Sequence, residues 1–197
     1  MRTTGFAAAL IASLLLAPAT HAADSADWVN DPDLDGIVDL LDPDYQKLPI
    51  NVARLPLKYA ITTRYGSGER VVYTFEDPQC GFCRQLHRHL AAIGNLTVHT
   101  FVLTFLGPES ASRADLAWCS PDRTRAWDAI MRGGSVAATT AANCKAPTAQ
   151  TMKLAGMLGI NLTPTVFYAD GSRMNGVKPQ AEVEARLRQA SAAAIGR

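Results

Sequence analysis

The chain has 197 residues, of which 48% are hydrophobic and 19% charged, with a formal net charge of +1 at pH 7. These proportions exclude wholesale disorder, which requires low hydrophobicity and high net charge, and they allow one ordinary domain with a buried core. Without a basic surplus, binding to nucleic acid has no electrostatic basis. The four cysteines are too few for a disulfide-dense miniprotein.

Residues 1–22 have the parts of a secretory signal peptide. Arg2 gives a positive start, residues 6–16 form an apolar run, Pro18 ends it, and small residues precede a cleavage point after Ala22. The run is shorter than the roughly 20 residues of a membrane-spanning helix, although an uncleaved anchor is the alternative interpretation. We therefore expect cleavage, export to an oxidising compartment, and no membrane insertion of the mature protein.

The rest of the chain divides into three segments by composition. We interpret residues 23–52 as an acidic arm, because residues 24–44 contain eight aspartates and no lysine or arginine. Residues 53–69, which are interrupted by prolines and glycines, are interpreted as a connector. Residues 70–197 are expected to form the compact domain.

The compact domain alternates strand and helix patterns. In chain order these predict a strand at 70–75, a helix at 80–93, a strand at 96–105, helices at 111–118, 121–131 and 148–158, a strand at 165–168, a hairpin turn at 170–171, and a helix at 179–194. This order predicts an α/β fold with a mixed central sheet flanked by helices. The region around 106–158 is expected to be a helical insertion.

Cys80 and Cys83 form a C-x-x-C motif directly after a predicted strand and at the start of a predicted helix. Residues three apart share a helix face, and a helix N-terminus stabilises a thiolate, so the motif predicts a redox pair. Cys80, expected as the first helical residue and facing outward, would be the nucleophile, and Cys83 would resolve the mixed disulfide. A static disulfide and half of a zinc site are the alternatives.

The same helix supplies two further expectations. Phe82, Leu86 and Leu90 are spaced four residues apart, which is typical of a buried helix face. His87 and His89 follow the motif and are interpreted as solvated surface side chains rather than metal ligands. No metal site is therefore assigned to the domain.

The segment Phe-Glu-Asp-Pro-Gln-Cys-Gly-Phe-Cys at residues 75–83 resembles the active-site segment of the DsbC/DsbG disulfide isomerases. The stretches at 55–61, 66–70 and 159–166 are also similar to that family, and the resemblance covers about 54–194. It implies a thioredoxin-like fold, a periplasmic location, misoxidised secreted proteins as substrates, and a membrane reductant of the DsbD type. A net oxidant of the DsbA kind and a non-enzymatic peptide-holding chaperone are the alternative functions.

The resemblance also implies roles for four residues outside the motif. Thr163 and Pro164 correspond to the loop that carries the family's cis-proline, where the backbone before the proline pairs with an extended substrate strand. An ordinary trans peptide bond is the alternative. Cys119 and Cys144 correspond to the family's non-catalytic disulfide in the helical insertion, and two free thiols are the alternative.

Two features depart from the resembled family. Thr74 lies six residues before Cys80, where many thioredoxins have a buried carboxylate, so Glu76 or a water would have to move the proton. The arm at 23–52 is shorter than the family's dimerisation domain, which predicts a monomer or weak dimer.

The acidic arm itself contains a candidate calcium loop. Residues 31–42 place Asp31, Asp33, Asp35, Asp39 and Asp42 at ligand positions of such a loop, with Gly36 at its turn. The alternative is an acidic, partly helical arm that packs on the domain or on a partner. No other cofactor is indicated.

Overall fold

The computed structural model describes residues 49–137 and 143–195. The expected signal peptide at 1–22, most of the acidic arm and the candidate calcium loop at 31–42 lie outside these residues. Among the helices of the described part, none is long and apolar enough to span a membrane.

A five-stranded mixed sheet forms the centre of the domain. Its strands are β1 (Ile61–Tyr65), β2 (Arg70–Glu76), β3 (Leu96–Val102), β4 (Thr165–Tyr168) and β5 (Arg173–Asn175). Their spatial order is β1-β3-β2-β4-β5. Only β2 and β3 run parallel, and the other neighbours are antiparallel. The central strand β2 is rich in β-branched and aromatic residues, as expected of a strand covered on both faces.

In the described residues, five α-helices pack around this sheet. They are α1 (Gly81–Ile93), α2 (Pro108–Trp118), α3 (Arg123–Met131), α4 (Thr148–Met157) and α5 (Gln180–Ile195). Helices α1 and α5 share a core cluster with Val72 and Val166, whereas α4 shares a cluster with Phe75, Phe101 and Phe167. The expected α/β architecture with helices on a mixed sheet is therefore confirmed.

The folded domain begins before residue 70, where the composition had placed its boundary. Strand β1 pairs with β3, and Ile61 is buried. Further upstream, Ile50 and Leu55 are buried in the core, and the Ile50 amide donates to the carbonyl of Gly171 at 3.0 Å. A Cβ on Gly171 would lie 2.0 Å from the Ile50 oxygen, so only glycine permits this approach. The connector is thus part of the domain.

Strand β1 lies at one edge of the sheet, and its short sequence alternates buried and exposed residues. Such a strand gives a weaker sequence signal than the continuous apolar run of β2. Thr124, in the first turn of α3, donates its hydroxyl to the carbonyl of Thr62 at 2.9 Å. Helix α3 therefore covers part of this edge.

The buried face of α1 differs from the expected one. Cys83, Leu86, His87 and Leu90 are buried, whereas Phe82 is 63% exposed. The expectations of a buried Phe82 and a solvated His87 were therefore wrong. His87 lies one turn after Cys83 and faces α3, where its Nε2 is 2.9 Å from Asp128 Oδ1. His89 is partly buried.

Cys119 and Cys144 are joined by a disulfide. The bond connects the C-terminal end of α2 to the segment before α4, across a sequence separation of 25 residues. Nearby, Asp115 accepts hydrogen bonds from the Ala146 amide and the Lys145 ammonium group, both at 2.8 Å. The end of α2 is therefore joined to the segment before α4 by one covalent bond and two polar contacts.

Replacing both cysteines, Cys119→Ala with Cys144→Ala, should lower the free energy of unfolding by about 3 kcal/mol, because the loop closed in the unfolded chain is released. Denaturant unfolding of the wild type and the double variant measures this loss. The pH titration of the Cys80 thiol should stay unchanged, since the bond is not part of the redox motif. Two free thiols in the oxidised wild-type protein would contradict the assignment.

Candidate redox site

The C-x-x-C motif lies where the central strand passes into helix α1. Cys80 is the N-cap of the helix rather than its first helical residue, and its carbonyl accepts the Arg84 amide at 3.1 Å. Its side chain is only 8% exposed, so it does not point fully outward as expected, and Cys83 is completely buried. Both thiols are free. Both cysteines are therefore buried, Cys83 more completely than Cys80.

The loop with the cis-proline lies against Cys80. Strands β2 and β4 are antiparallel with Phe75 opposite Thr165, so the end of β2 meets the start of β4. The Thr163–Pro164 peptide bond is cis, and the Thr163 carbonyl oxygen is 3.5 Å from Cys80 Sγ. The structure thus brings together Cys80, Cys83, Thr163 and Pro164, whereas Cys119 and Cys144 lie elsewhere in the insertion.

The two thiols have opposite pKa shifts. The hydrogen bond from the Cys83 thiol is the largest cause that lowers the pKa of Cys80 to about 5, against the opposing effect of burial. Thr163 and the amides of Phe82 and Cys83 lower this pKa further. Burial raises the pKa of Cys83, as do the Cys80 thiol and the charge of Glu76. At neutral pH Cys80 is therefore the thiolate and Cys83 the protonated partner.

Glu76, the last residue of β2, is a buried carboxyl group near both cysteines. Burial is the main cause that raises its pKa to about 7, and the charge of Cys80 adds to the shift, whereas a hydrogen bond with Thr74 opposes it. Its Oε2 atom is buried and has no hydrogen-bond partner among the described residues. The sequence had suggested Glu76 or a water for proton movement. The structure gives Glu76 a pKa suited to that task.

Asp77, the next residue, was missed in the sequence analysis. It is completely buried, its carbonyl accepts the Cys80 amide at 3.0 Å, and its main chain opposes the rise that burial causes in the pKa of Cys83. The only signal in the sequence is an aspartate followed by Pro78, which is typical of a turn. Burial of such a residue depends on the tertiary structure.

Within residues 49–137 and 143–195, no group of three or more His, Cys, Asp or Glu side chains is arranged to hold a metal ion. His87, one turn beyond Cys83, contacts Asp128 instead. The pKa of His87 is lowered by its burial, against the opposing hydrogen bond and charge of Asp128. Cys80 and Cys83 lie beside each other and beside the cis-proline loop, which is an arrangement for thiol–disulfide exchange.

A family model described as a thioredoxin-like domain matches residues 57–191. The chain therefore belongs to the thioredoxin-like family, which confirms the expected fold. A crystal structure of the disulfide interchange protein from Neisseria gonorrhoeae is 32% identical, with a TM-score of 0.62, and the match covers 70% of this chain and 99% of that one.

The curated relatives agree with the expected DsbC resemblance. The probable thiol:disulfide interchange protein DsbC of Bordetella parapertussis is 41% identical over 133 residues, which are 68% of this chain and 47% of the relative. The DsbC of Escherichia coli K12 is 28% identical over 148 residues, or 69% of this chain and 61% of the relative. The chain spans about half the length of the curated Bordetella relatives it matches.

The pKa values predict selective labelling of the reduced protein. The rate at which iodoacetamide modifies Cys80 should rise with pH and reach half of its maximum near pH 5, because the thiolate is the reacting form. Cys83 should remain unmodified until the protein is unfolded. Mass spectrometry of proteolytic peptides across a pH series measures both rates, with Cys80→Ser as the control. A midpoint near that of an ordinary thiol would contradict the assignment of Cys80.

Glu76→Gln should stabilise the reduced protein at alkaline pH. The pKa of Glu76 is about 7 in the folded protein, against a reference value of 4.5. The free energy of unfolding therefore falls as the pH rises from 4.5 to 7, because the unfolded chain loses this proton first. The variant should therefore gain up to about 3 kcal/mol above pH 7 and almost nothing below pH 4.5, by denaturant unfolding. Glu109→Gln, an exposed control, should show no such pH dependence. A gain independent of pH would contradict the buried titration.

Proposed function

We propose that the protein is a thiol–disulfide oxidoreductase of the bacterial periplasm that isomerises or reduces wrongly paired disulfides in secreted proteins. The observation on which this rests is the contrast between the two sulfurs. Cys80 has a pKa lowered to about 5 and contacts the cis-proline loop, and Cys83 lies buried beside it. A nucleophile and a resolving thiol are thus held one helical turn apart.

The reaction follows from these positions. The Cys80 thiolate attacks one sulfur of a substrate disulfide, a mixed disulfide forms, and the other substrate sulfur leaves as a thiolate. In isomerisation, a substrate thiolate then attacks the mixed disulfide, so that a new substrate disulfide forms and Cys80 is released reduced. In reduction, the Cys83 thiolate attacks Cys80, the Cys80–Cys83 disulfide forms, and the substrate leaves with two electrons.

Glu76 is the proposed proton acceptor for Cys83. The thiol of Cys83 must lose its proton before it attacks, and burial opposes that loss. A neighbouring carboxyl group with a pKa of about 7 can take the proton at physiological pH and return it in the reverse reaction. Its unpartnered Oε2 leaves a lone pair available for this step.

Two features support a polypeptide substrate. In the described part of the chain, the Thr163 amide forms no hydrogen bond, so it can pair with an extended substrate strand. Five large hydrophobic side chains are exposed there. Four of them, Phe82, Phe105, Leu106 and Leu162, belong to segments that form or contact the redox turn. Apolar surface at this position suits unfolded polypeptide rather than a small polar thiol.

A membrane reductant of the DsbD type is the proposed partner, because each turnover as a reductase leaves Cys80 and Cys83 oxidised. The signal-peptide pattern at 1–22 supports the periplasmic location, and the monomer or weak dimer remains a prediction. The chemistry uses the two sulfurs themselves and needs no added cofactor. Calcium binding by the arm is a separate hypothesis, which does not enter the reaction.

A net oxidant of the DsbA kind is the second candidate. A pKa lowered to about 5 stabilises the reduced form of Cys80, and a protein with a stable reduced form tends to oxidise its substrates. Equilibration with glutathione gives the reduction potential, and trapping of thiols in living cells gives the resting state. A mostly reduced resting state supports the isomerase, and a mostly oxidised one supports the oxidant.

Cys80→Ser should abolish both insulin reduction and isomerisation of a scrambled substrate, because the nucleophile is lost. Cys83→Ser should retain some isomerisation and accumulate mixed disulfides, since attack by Cys80 survives while resolution does not. Enzyme assays and non-reducing gels measure these outcomes. Wild-type reductase activity in Cys80→Ser would refute the proposal, and undiminished suppression of aggregation by the double serine variant would favour a chaperone.

A further inference from the structure

Two large apolar side chains lie at the tip of the turn that follows β3. The Gly107 amide donates to the Thr104 carbonyl at 3.3 Å, which makes Phe105 and Leu106 the central residues of this turn. Leu106 is 56% exposed and Phe105 is 36% exposed. Turns are usually built from glycine, proline, asparagine, aspartate or serine. An adjacent pair of exposed apolar side chains in their place indicates contact with another molecule.

The sheet places this apolar turn, residues 104–107, beside the redox turn, residues 77–83. Strands β2 and β3 are parallel with Glu76 opposite Val102, so both strands end at the same edge of the sheet. The Leu103 amide then donates to the Glu76 carbonyl at 2.8 Å, which extends the pairing by one residue. The apolar turn therefore begins directly beside the segment that leads to Cys80.

Asp77 joins the two turns by hydrogen bonds. Its Oδ2 atom accepts the Leu106 amide at 3.0 Å, and its main-chain carbonyl accepts the Cys80 amide at 3.0 Å. Its Oδ1 atom accepts the Gln79 amide at 2.8 Å and the Ser110 hydroxyl at 2.6 Å. The residue is completely buried, and a buried carboxylate is tolerated where donors replace its hydration. One residue thus sets the position of Leu106 relative to Cys80.

The loops that meet at Cys80 are neutral as well as apolar. Lysine, arginine, aspartate and glutamate are absent from residues 78–83, 103–108 and 160–168. Leu162 is exposed and precedes Thr163, whose carbonyl oxygen is 3.5 Å from Cys80 Sγ. Phe82, between the two cysteines, is exposed too. Such a surface suits a neutral, apolar peptide segment better than an acidic or basic one.

We propose that the apolar turn selects polypeptide substrates with a large apolar side chain next to the reacting cysteine, and that Asp77 is the positioning residue that holds this turn beside Cys80. Phe105 and Leu106 contact that side chain while the substrate backbone lies along the cis-proline loop. In the chemical step the Cys80 sulfur bonds to one substrate sulfur, and the other leaves as a thiolate. The inference rests on the proposed function and names the substrate class that its site prefers.

Two synthetic peptide disulfides separate selection from chemistry. Each is a symmetric dimer of one short peptide, and the two differ only in a leucine or a serine beside the cysteine. The second-order rate constant for reduction of each by the reduced protein is measured, and their ratio is the preference for leucine. Partial burial of a leucine side chain corresponds to roughly tenfold, so the wild type should show a preference of about tenfold.

Variants of the apolar turn should lower this preference. Leu106→Ser keeps the main-chain amide that Asp77 accepts and removes the apolar tip, so the preference should fall to about threefold. Addition of Phe105→Ser should remove the preference altogether. The rate constants come from the same protein sample, so a general loss of reactivity at Cys80 cancels in the ratio.

Asp77→Asn tests the positioning role. Its side chain has one acceptor oxygen instead of two and cannot retain all three donors, so the preference should fall to about threefold although Phe105 and Leu106 are still present. Should this variant fail to fold, Ser110→Ala decides the question. It removes one donor to the same carboxylate and should lower the preference by about twofold.

Leu57→Ser is the matched control. Leu57 is the fifth large hydrophobic side chain exposed in the described ranges, and it lies in the connector, outside the three loops that meet at Cys80. The variant makes the same exchange of an exposed leucine for serine. Both rate constants should therefore stay at their wild-type values.

The outcomes separate the inference from the function on which it rests. If the wild type reduces neither peptide, the proposed redox function fails. If the wild type reduces both without preference, or if the serine variants of the apolar turn keep the preference, the selecting role is refuted while the function stands. An undiminished preference in folded Asp77→Asn, or in Ser110→Ala where that variant decides, refutes the positioning role. An equal fall in Leu57→Ser refutes the inference, because any exposed leucine would then have the same effect.

Discussion

The hydrogen bond between the two thiols is the interaction on which the rest of the site depends. Cys83 donates to Cys80, which stabilises a negative charge on the outer sulfur and holds the proton on the inner one. Because the two residues are one turn apart at a helix start, the outer sulfur also receives main-chain amides, whereas the inner sulfur faces the core. Two identical side chains therefore acquire different chemistry from a difference in depth.

The sheet determines which groups can reach this pair. Strand β2 lies in the middle of the sheet, between β3 and β4. Its final residue, Glu76, is buried, as are the adjacent residues Phe75 and Asp77. The antiparallel strand β4 begins where β2 ends, so the cis-proline loop arrives next to Cys80 without a long connection. Glu76, Cys80 and the cis-proline loop are thus brought to one end of the sheet by the strand order.

Much of this site could be predicted from local sequence. Cys80 and Cys83 were identified by their spacing and by the strand before them, since a helix start after a buried strand has a recognisable pattern. Thr163 and Pro164 required the family resemblance, because nothing in an isolated Thr-Pro pair distinguishes a cis bond from the commoner trans bond.

The remaining features depend on tertiary contacts. Helical periodicity identified Leu86 and Leu90 but not the direction of the first turn. There Phe82 is exposed among the described residues, whereas His87 contacts α3. Asp77 resembles any turn aspartate until the loop after β3 and helix α2 fold over it. Such residues are defined by distant neighbours, which a single sequence does not reveal.

The partly covered edge of β1 has a consequence for contacts with other chains. An open sheet edge presents unpaired amides and carbonyls, which can form hydrogen bonds with any exposed strand that approaches. The hydroxyl of Thr124 occupies the outward carbonyl of Thr62, so this edge offers fewer sites for such pairing. An approaching strand therefore finds one acceptor fewer along β1, which lowers the tendency of this edge to pair with another chain.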